Sequence, residues 1–281
     1  MAIAADRPYM RDMNDTAPLH DFIDRHRHIF VLTGAGCSTN SGIPDYRDEE
    51  GQWKRAQPMT FQAFMGGEPA RRRYWARSLI GWRRFSQVRP NRAHDALARL
   101  ERGGKSVLLL TQNVDRLHQA AGSSRVVDLH GRLDRVRCTA CGETIPREAM
   151  QEALIRLNPG WEEREAGMAP DGDADLDEED FASFAVPPCP ACGGVLKPDV
   201  VFFGECVPKE RVERAVGALE EADAMLVVGS SLMVYSGFRF VQAAARAGKP
   251  IAAVNLGRTR ADPMLALKVE QPCAEALSFL L

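Results

Sequence analysis

The chain has 281 residues with 36 Lys and Arg against 38 Asp and Glu, a formal net charge of −2. That near-balance provides no global field to recruit nucleic acid. The length allows one large α/β domain or one domain with a smaller one inserted, and a hydrophobic fraction of 45% is enough for a core. No apolar run approaches about 18 residues, so no membrane span is expected. The first segment carries Asp6, Asp12 and Asp15 and lacks the apolar core of a signal peptide, so a cytoplasmic location is expected. Seven cysteines, an odd number in a chain this long, read as thiols in a reducing compartment.

Residues 1–19 read as a loose arm, and Asp21 to Arg27 as a short helix. The run Ile29-Phe30-Val31-Leu32 is a buried strand feeding Thr33-Gly34-Ala35-Gly36-Cys37-Ser38. Glycines directly after a strand let the backbone turn tightly and approach a pyrophosphate, with the amides of a following helix start facing the anion. The dehydrogenase fingerprint is not met, because Thr39 stands where a third Gly belongs. Polar residues cluster just downstream at Asp45, Tyr46 and Arg47, and Asp48 to Pro58 reads as a mobile loop. Glu68 to Val88 reads as an amphipathic helix with aromatics inward and arginines in water.

Arg92 to Arg102 has a helical period closed by Gly103-Gly104. The strand Val107 to Leu110 then delivers Gln112, Asn113 and Asp115 at its carboxyl end, where ligands of open parallel sheets bind. A short helix, Leu117 to Ala121, precedes the strand Val126 to Leu129, which ends in His130-Gly131. Of the six histidines, His20, His26 and His28 read as surface residues and His94 and His118 as packed or capping. His130 alone sits at a strand end before Gly, where a neutral imidazole can act as general base or serve a structural purpose.

Cys138-x-x-Cys141 and Cys189-x-x-Cys192 have the spacing of two knuckle turns around one tetrahedral, four-thiolate zinc ion. With every position taken by sulfur, the ion is expected to be structural. Between the pairs, Glu152 to Leu157 is helical. Asp171, Asp173 and Asp175 mimic a calcium loop that fails at Leu176 and Ala182, so Asp171 to Asp180 reads as a solvated insertion. Beyond the module come a helix (Arg211 to Glu221), a strand (Met225 to Val228) ending in Gly229-Ser230-Ser231, a helix (Phe238 to Ala247) and a strand (Ile251 to Val254) ending in Asn255-Leu256-Gly257. Small polar residues after successive strands, at Gly34, Gln112, Gly229 and Asn255, outline a dinucleotide cleft.

Taken together, Gly34-Ala35-Gly36-x-Ser38, Gly42-Ile43-Pro44-Asp45-Tyr46-Arg47, Thr111-Gln112-Asn113-Val114-Asp115, His130-Gly131, the two cysteine pairs, Phe203-Gly204-Glu205 and Gly229-Ser230-Ser231 resemble the sirtuin family over about residues 20–281. Tyr74-Trp75-Ala76-Arg77, the long acidic insert and Lys197-Pro198-Asp199-Val200-Val201-Phe202-Phe203-Gly204 resemble its class II branch, that of the animal mitochondrial lipoamidase-type enzyme.

The resemblance implies a Rossmann-like, doubly wound α/β fold. Residues 20–45, 92–131 and 205–281 would form the NAD-binding domain, 46–91 a cofactor-loop and helical module, and 132–200 the zinc-binding module. It implies an NAD-dependent protein lysine deacylase that releases nicotinamide and forms O-acyl-ADP-ribose. NAD would lie along Gly34, Ala35, Gly36, Ser38, Pro44, Asp45, Tyr46, Arg47, Gln112, Asn113, Val114 and Asp115. Gly229, Ser230, Ser231, Asn255, Leu256, Gly257 and the backbone of Cys273 would complete its site. His130 would be the base that deprotonates a ribose hydroxyl, and Asn113 would orient the ribose and a water. Val201, Phe202, Phe203 and Gly204 on one side, and Val234 and Tyr235 on the other, would hold the acylated-lysine peptide as an added strand. A protein mono-ADP-ribosyltransferase and a non-enzymatic NAD-binding module remain as alternatives. Tyr74-x-x-Arg77 also resembles the pair that reads acidic acyl groups in succinyl-removing sirtuins.

Overall fold

The computed structural model describes residues 16–54, 58–167, 169–174, 176 and 180–281. Residues 1–15 of the expected arm, and Asp175 of the calcium-loop comparison, lie outside them; the end of that arm is not loose, since a helix begins at Ala17 and Leu19 is buried. The first part of the chain forms α1 (Ala17–Arg25), β1 (Ile29–Thr33), α2 (Phe61–Gly66), α3 (Glu68–Phe85), α4 (Arg92–Arg102), β2 (Ser106–Thr111), α5 (Leu117–Ala120) and β3 (Val126–Asp128). A second part forms β4 (Gly131–Cys138), β5 (Thr144–Pro146), α6 (Arg147–Leu157) and β6 (Leu196–Val200). The chain then returns through α7 (Lys209–Glu221), β7 (Ala224–Val228), α8 (Tyr235–Arg246), β8 (Ile251–Val254), β9 (Leu267–Val269) and α9 (Cys273–Ala276).

Six strands make one sheet in the order β3-β2-β1-β7-β8-β9, every pairing parallel. Every residue of β1, β7 and β8 is buried, which is why these strands read as unbroken apolar runs. Leu19, Phe22, Leu97 and Leu100 cover one face from α1 and α4, while Leu219, Phe238 and Val241 cover the other from α7 and α8. The chain leaves β1 toward one side and returns as β7 on the other, placing the topological switch between them.

The three-stranded sheet β5-β4-β6 is antiparallel. It shares a core with α2, α3 and α6, in which Phe64, Trp75, Leu79, Met150, Leu154 and Phe184 are buried together.

Several expectations are corrected. No α-helix follows β1; the chain makes two 3-10 turns, Ala35–Cys37 and Thr39–Ser41. The segment Asp48 to Lys54 is folded: Arg47 and Trp53 form a β-bridge, and the guanidinium lies 3.9 Å over the indole.

The largest correction concerns the acidic insertion, whose described residues are docked rather than solvated. Asp173 and Ala174 are buried. The Ala174 amide donates to the Arg77 carbonyl at 2.9 Å, and Arg77 Nε donates back to the Ala174 carbonyl at 2.7 Å. Nor do all the α3 arginines face water. Arg83 and Arg84 donate to the carbonyls of Arg164 and Ala166 at 2.5 and 3.3 Å, and Arg72 donates to that of Ala182. An irregular segment has no ladder to satisfy its carbonyls, and these guanidinium groups supply the donors. Gly81 permits the contact, since a Cβ there would stand 2.1 Å from the Gly172 carbonyl oxygen.

Gly81→Ala should therefore push residues 172–174 off α3, at a cost of about 1–3 kcal/mol, and lower the melting temperature by several degrees. A thermal melt unchanged from the parent chain would mean that the segment is not docked.

Candidate active site

The carboxyl ends of β1 and β7 meet without side chains between them. Gly34 N–H donates to the Val228 carbonyl at 3.1 Å and Gly36 N–H to that of Gly229 at 2.9 Å. Gly229 has φ +63°, and a Cβ on it would stand 2.2 Å from the Cys37 nitrogen. Above this junction opens a cavity of about 470 Å³. Gly34, Ala35, Gly36, Ser38, Asp45, Tyr46, Arg47, Gln112, Asn113, Val114, Asp115, Gly229, Ser230, Ser231, Asn255 and Leu256 all line it. So do His130, Val201, Phe202, Phe203, Gly204, Val234 and Tyr235. Pro44, Gly257 and Cys273 do not. Cys273 is buried at the start of α9, packed in the α1–α4 face of the sheet.

At the cavity floor Asn113 Nδ2 donates to the Gly34 carbonyl at 3.0 Å and to Ser38 Oγ at 3.1 Å. Ser38 Oγ donates to Asp115 Oδ2 at 2.7 Å, and the Leu117 amide donates to Asp115 Oδ1 at 2.9 Å. Burial raises the Asp115 carboxyl above the usual carboxylate range, while those two donors hold it back. Behind Ser38, His94 Nδ1 accepts the Asn91 amide in the capping box of α4. Its Nε2 therefore carries the proton and faces Ser38 Oγ at 3.4 Å.

His130 is held at both ring nitrogens. Nδ1 lies 3.0 Å from the Gln112 carbonyl, an acceptor only, so Nδ1 bears the hydrogen. Nε2 is then an acceptor, and Ser236 Oγ donates to it at 2.7 Å. Burial pushes this imidazole down to about 4; Arg211 and Arg239 act in the same direction and the Gln112 carbonyl against it. At neutral pH the ring is a neutral base with a defined lone pair.

Flanking the mouth, Lys197 Nζ is buried and donates to the Pro198 and Val200 carbonyls and, at 3.1 Å, to Glu205 Oε2. That carboxylate accepts the Phe202 amide at 3.0 Å and so fixes the loop after β6. Phe203 and Tyr235 are exposed on the two sides of the opening.

The four predicted cysteines come together away from the cavity, their sulfurs all within 4.8 Å of one another. Cys138 and Cys192 sulfurs are 3.5 Å apart and those of Cys141 and Cys189 are 3.8 Å apart. Tetrahedral zinc with bonds of about 2.3 Å sets sulfurs roughly 3.8 Å apart, so the donor set fits the ion in both chemistry and spacing. None of the four lines the cavity, in keeping with a structural ion.

Several cavity residues escape the sequence reading. Trp53 lacked a motif, Pro170 and Asp171 belong to the insertion that docks on α3, and Ser236 follows the predicted peptide strand by one residue. Tyr74 also lines the cavity; its Tyr-x-x-Arg pattern was its only signal.

The chain belongs to the Sir2 family, whose model matches residues 34–236. It is 69% identical over 269 residues to an NAD-dependent protein deacetylase of Xanthomonas campestris pv. campestris, covering 95% of this chain and 92% of that one. It is 67% identical over 266 residues to an NAD-dependent protein deacetylase of Bordetella bronchiseptica, covering 95% and 97%. A solved Sir2 structure with a p53 peptide and NAD+ superposes with a TM-score of 0.77 at 30% identity, covering 95% of this chain and 97% of that one.

Cys138→Ser should remove one sulfur of the set, release zinc and lower the melting temperature of the purified chain. One equivalent of zinc retained in that variant, with an unchanged melt, would refute the four-cysteine site.

Proposed function

We propose that this chain is an NAD-dependent protein lysine deacylase, with His130 as its general base. The observation that carries the reading is His130 itself: a neutral imidazole of fixed tautomer opens into the same cleft as the Gly34–Gly36 turn and the Asn113–Ser38–Asp115 network. The cleft fits NAD: Gly34, Ala35 and Gly36 bring backbone without bulky side chains to its wall beside the Arg47 guanidinium, and Asn113, Ser38 and Asp115 offer polar partners. When bound, NAD supplies a ribose carbon that nicotinamide can leave and a hydroxyl that can accept the acyl group.

The chain's own residues do the rest. The Gly34 and Gly36 amides are spent on the Val228 and Gly229 carbonyls, so the guanidinium of Arg47 would hold the phosphates where they pass this turn, and Ser230 and Asn255 the adenosine half. Asn113 orients the ribose, and Asp115 takes the nicotinamide amide. The Val201–Gly204 loop, braced by Lys197 and Glu205, lines the same cavity as Val234 and Tyr235, and the peptide would lie between them as an added strand read by its backbone. His130 takes up a ribose proton and returns it as product forms. The free thiols outside the zinc site fit a cytoplasmic, reducing location.

Acyl preference follows from the same cavity. Arg77 Nε is tied to the Ala174 carbonyl, and Asp171 lines the cavity beside Tyr74. Asp173 lies buried behind, its carboxyl raised by burial and by Asp171. A carboxylate-bearing acyl group would meet the Asp171 carboxylate there, so the reading is for uncharged acyl chains, in line with the class II resemblance.

His130→Ala should still bind NAD but lose at least about 100-fold in turnover of an acetyl-lysine peptide. Wild-type-like turnover would remove His130 from the mechanism. A base held below its ordinary value stays neutral until the pH falls well under about 6.5. The acid limb of kcat/KM should therefore lie near pH 4 to 5; a limb at 6.5 would mean a water-exposed imidazole. Acetyl and butyryl peptides should be hydrolysed at least about 10-fold more efficiently than succinyl peptide, a ratio that Asp171→Asn reduces.

A further inference from the structure

Ser236 has no part in the scheme above, yet it makes the shortest contact to the base. The hydroxyl stands 2.7 Å from His130 Nε2 and lines the cavity. Its direction is fixed. His130 Nδ1–H is committed to the Gln112 carbonyl, which leaves the Nε2 lone pair as the ring's one proton-accepting position. That lone pair points at Ser236.

The hydroxyl is placed by the fold rather than by chance rotation of an exposed side chain. Ser236 is the second residue of α8, and the next residue is Gly237. A Cβ on Gly237 would stand 2.5 Å from Gln112 Oε1, so the glycine lets the first turn of α8 press against Gln112 without displacing its amide. Gln112 is thus gripped three ways. Its carbonyl holds the imidazole, its Nε2 donates to Ser230 Oγ at 2.7 Å, and its side chain seats the start of α8. Ser236 and His130 are both registered to one residue, with little freedom to separate. From α8, Arg239 Nε donates to the Ser236 carbonyl at 3.2 Å and fixes the same turn from behind.

We propose that Ser236 is a proton-transfer residue, the hydroxyl through which a ribose proton reaches His130. The inference rests on the deacylase reading given above. Ser236 Oγ accepts the proton of the ribose hydroxyl while its own O–H proton passes to His130 Nε2. The ribose oxygen keeps the electron pair with which it attacks the acyl carbon, and His130 becomes an imidazolium protonated at both nitrogens. The proton returns by the same path when the acyl-transfer intermediate collapses, so Ser236 ends as it began. The hydroxyl thereby extends the reach of a base whose ring cannot rotate toward substrate without losing the Gln112 carbonyl. The cationic groups acting on His130, Arg211 of α7 and Arg239 of α8, favour handing the proton back. Arg211 is itself 3.8 Å from Asp199.

The test uses the full chain with NAD and an acetyl-lysine peptide. Two rates are measured: deacetylation, and exchange of labelled nicotinamide into NAD. Exchange needs nicotinamide to leave and return but needs no ribose proton to be removed. Ser236→Ala should lower the ratio of deacetylation to exchange by about 100-fold, and Ser236→Thr, which keeps a hydroxyl, should restore most of it. A Ser236→Ala enzyme that deacetylates at the parent rate or faster would overturn the proposal, because the ribose hydroxyl would then displace Ser236 rather than use it. A parallel fall in both rates would also overturn it, leaving Ser236 as mere support for the cleft. Absence of exchange and of deacetylation in the parent chain would instead bring down the deacylase reading, and this proposal with it.

Discussion

Everything at the site depends on how closely β1 and β7 approach where they end. Parallel neighbours at a switch point diverge in their connections, and the crevice they leave is where ligands of such sheets bind. Here Gly34, Gly36 and Gly229 leave backbone against backbone, joined by amide–carbonyl hydrogen bonds. The space saved becomes the cleft. It also sets Asn113 and His130, on neighbouring connections, close enough to share the floor and wall of one cavity.

A second dependence runs through Gln112. It is one residue past β2, and its backbone and side chain hold three different elements: the base, the β7 turn and α8. Polar side chains in a partly buried cleft are costly unless fully partnered. Such a residue keeps the cleft satisfied in the absence of ligand while leaving the reactive lone pair defined. The low proton affinity of His130 follows from that enclosure, since a ring in contact with water would not be held neutral so far below its ordinary range.

The strands were legible because a sheet covered on both faces demands continuous apolar runs, and β1, β2, β7 and β8 supply them. The row of cleft residues was legible for a related reason: functional groups of this fold sit where those runs stop. The zinc cysteines were marked by spacing alone. The docked insertion was not legible. Its acidic residues obey no period, and what holds it is its own carbonyl groups, which no sequence displays. Ser236 was hidden for a similar reason, since a serine at a helix start has an ordinary local explanation as a turn or cap residue. Its meaning comes from His130, 106 positions earlier in the chain.

The guanidinium-to-carbonyl contacts on α3 distribute evolutionary constraint unevenly. A carbonyl oxygen is the same whatever residue bears it. The described residues between 164 and 182 can therefore drift in identity while keeping their contacts, provided Gly172 retains its left-handed turn at φ +80°. The helix has no such latitude: Arg72, Arg77, Arg83 and Arg84 each need length, charge and a donor fork in register with a fixed backbone. Variation should accumulate in the segment that borders the cavity and not in the helix that anchors it. A family built this way can retune what the pocket admits without reopening the question of how the pocket is held.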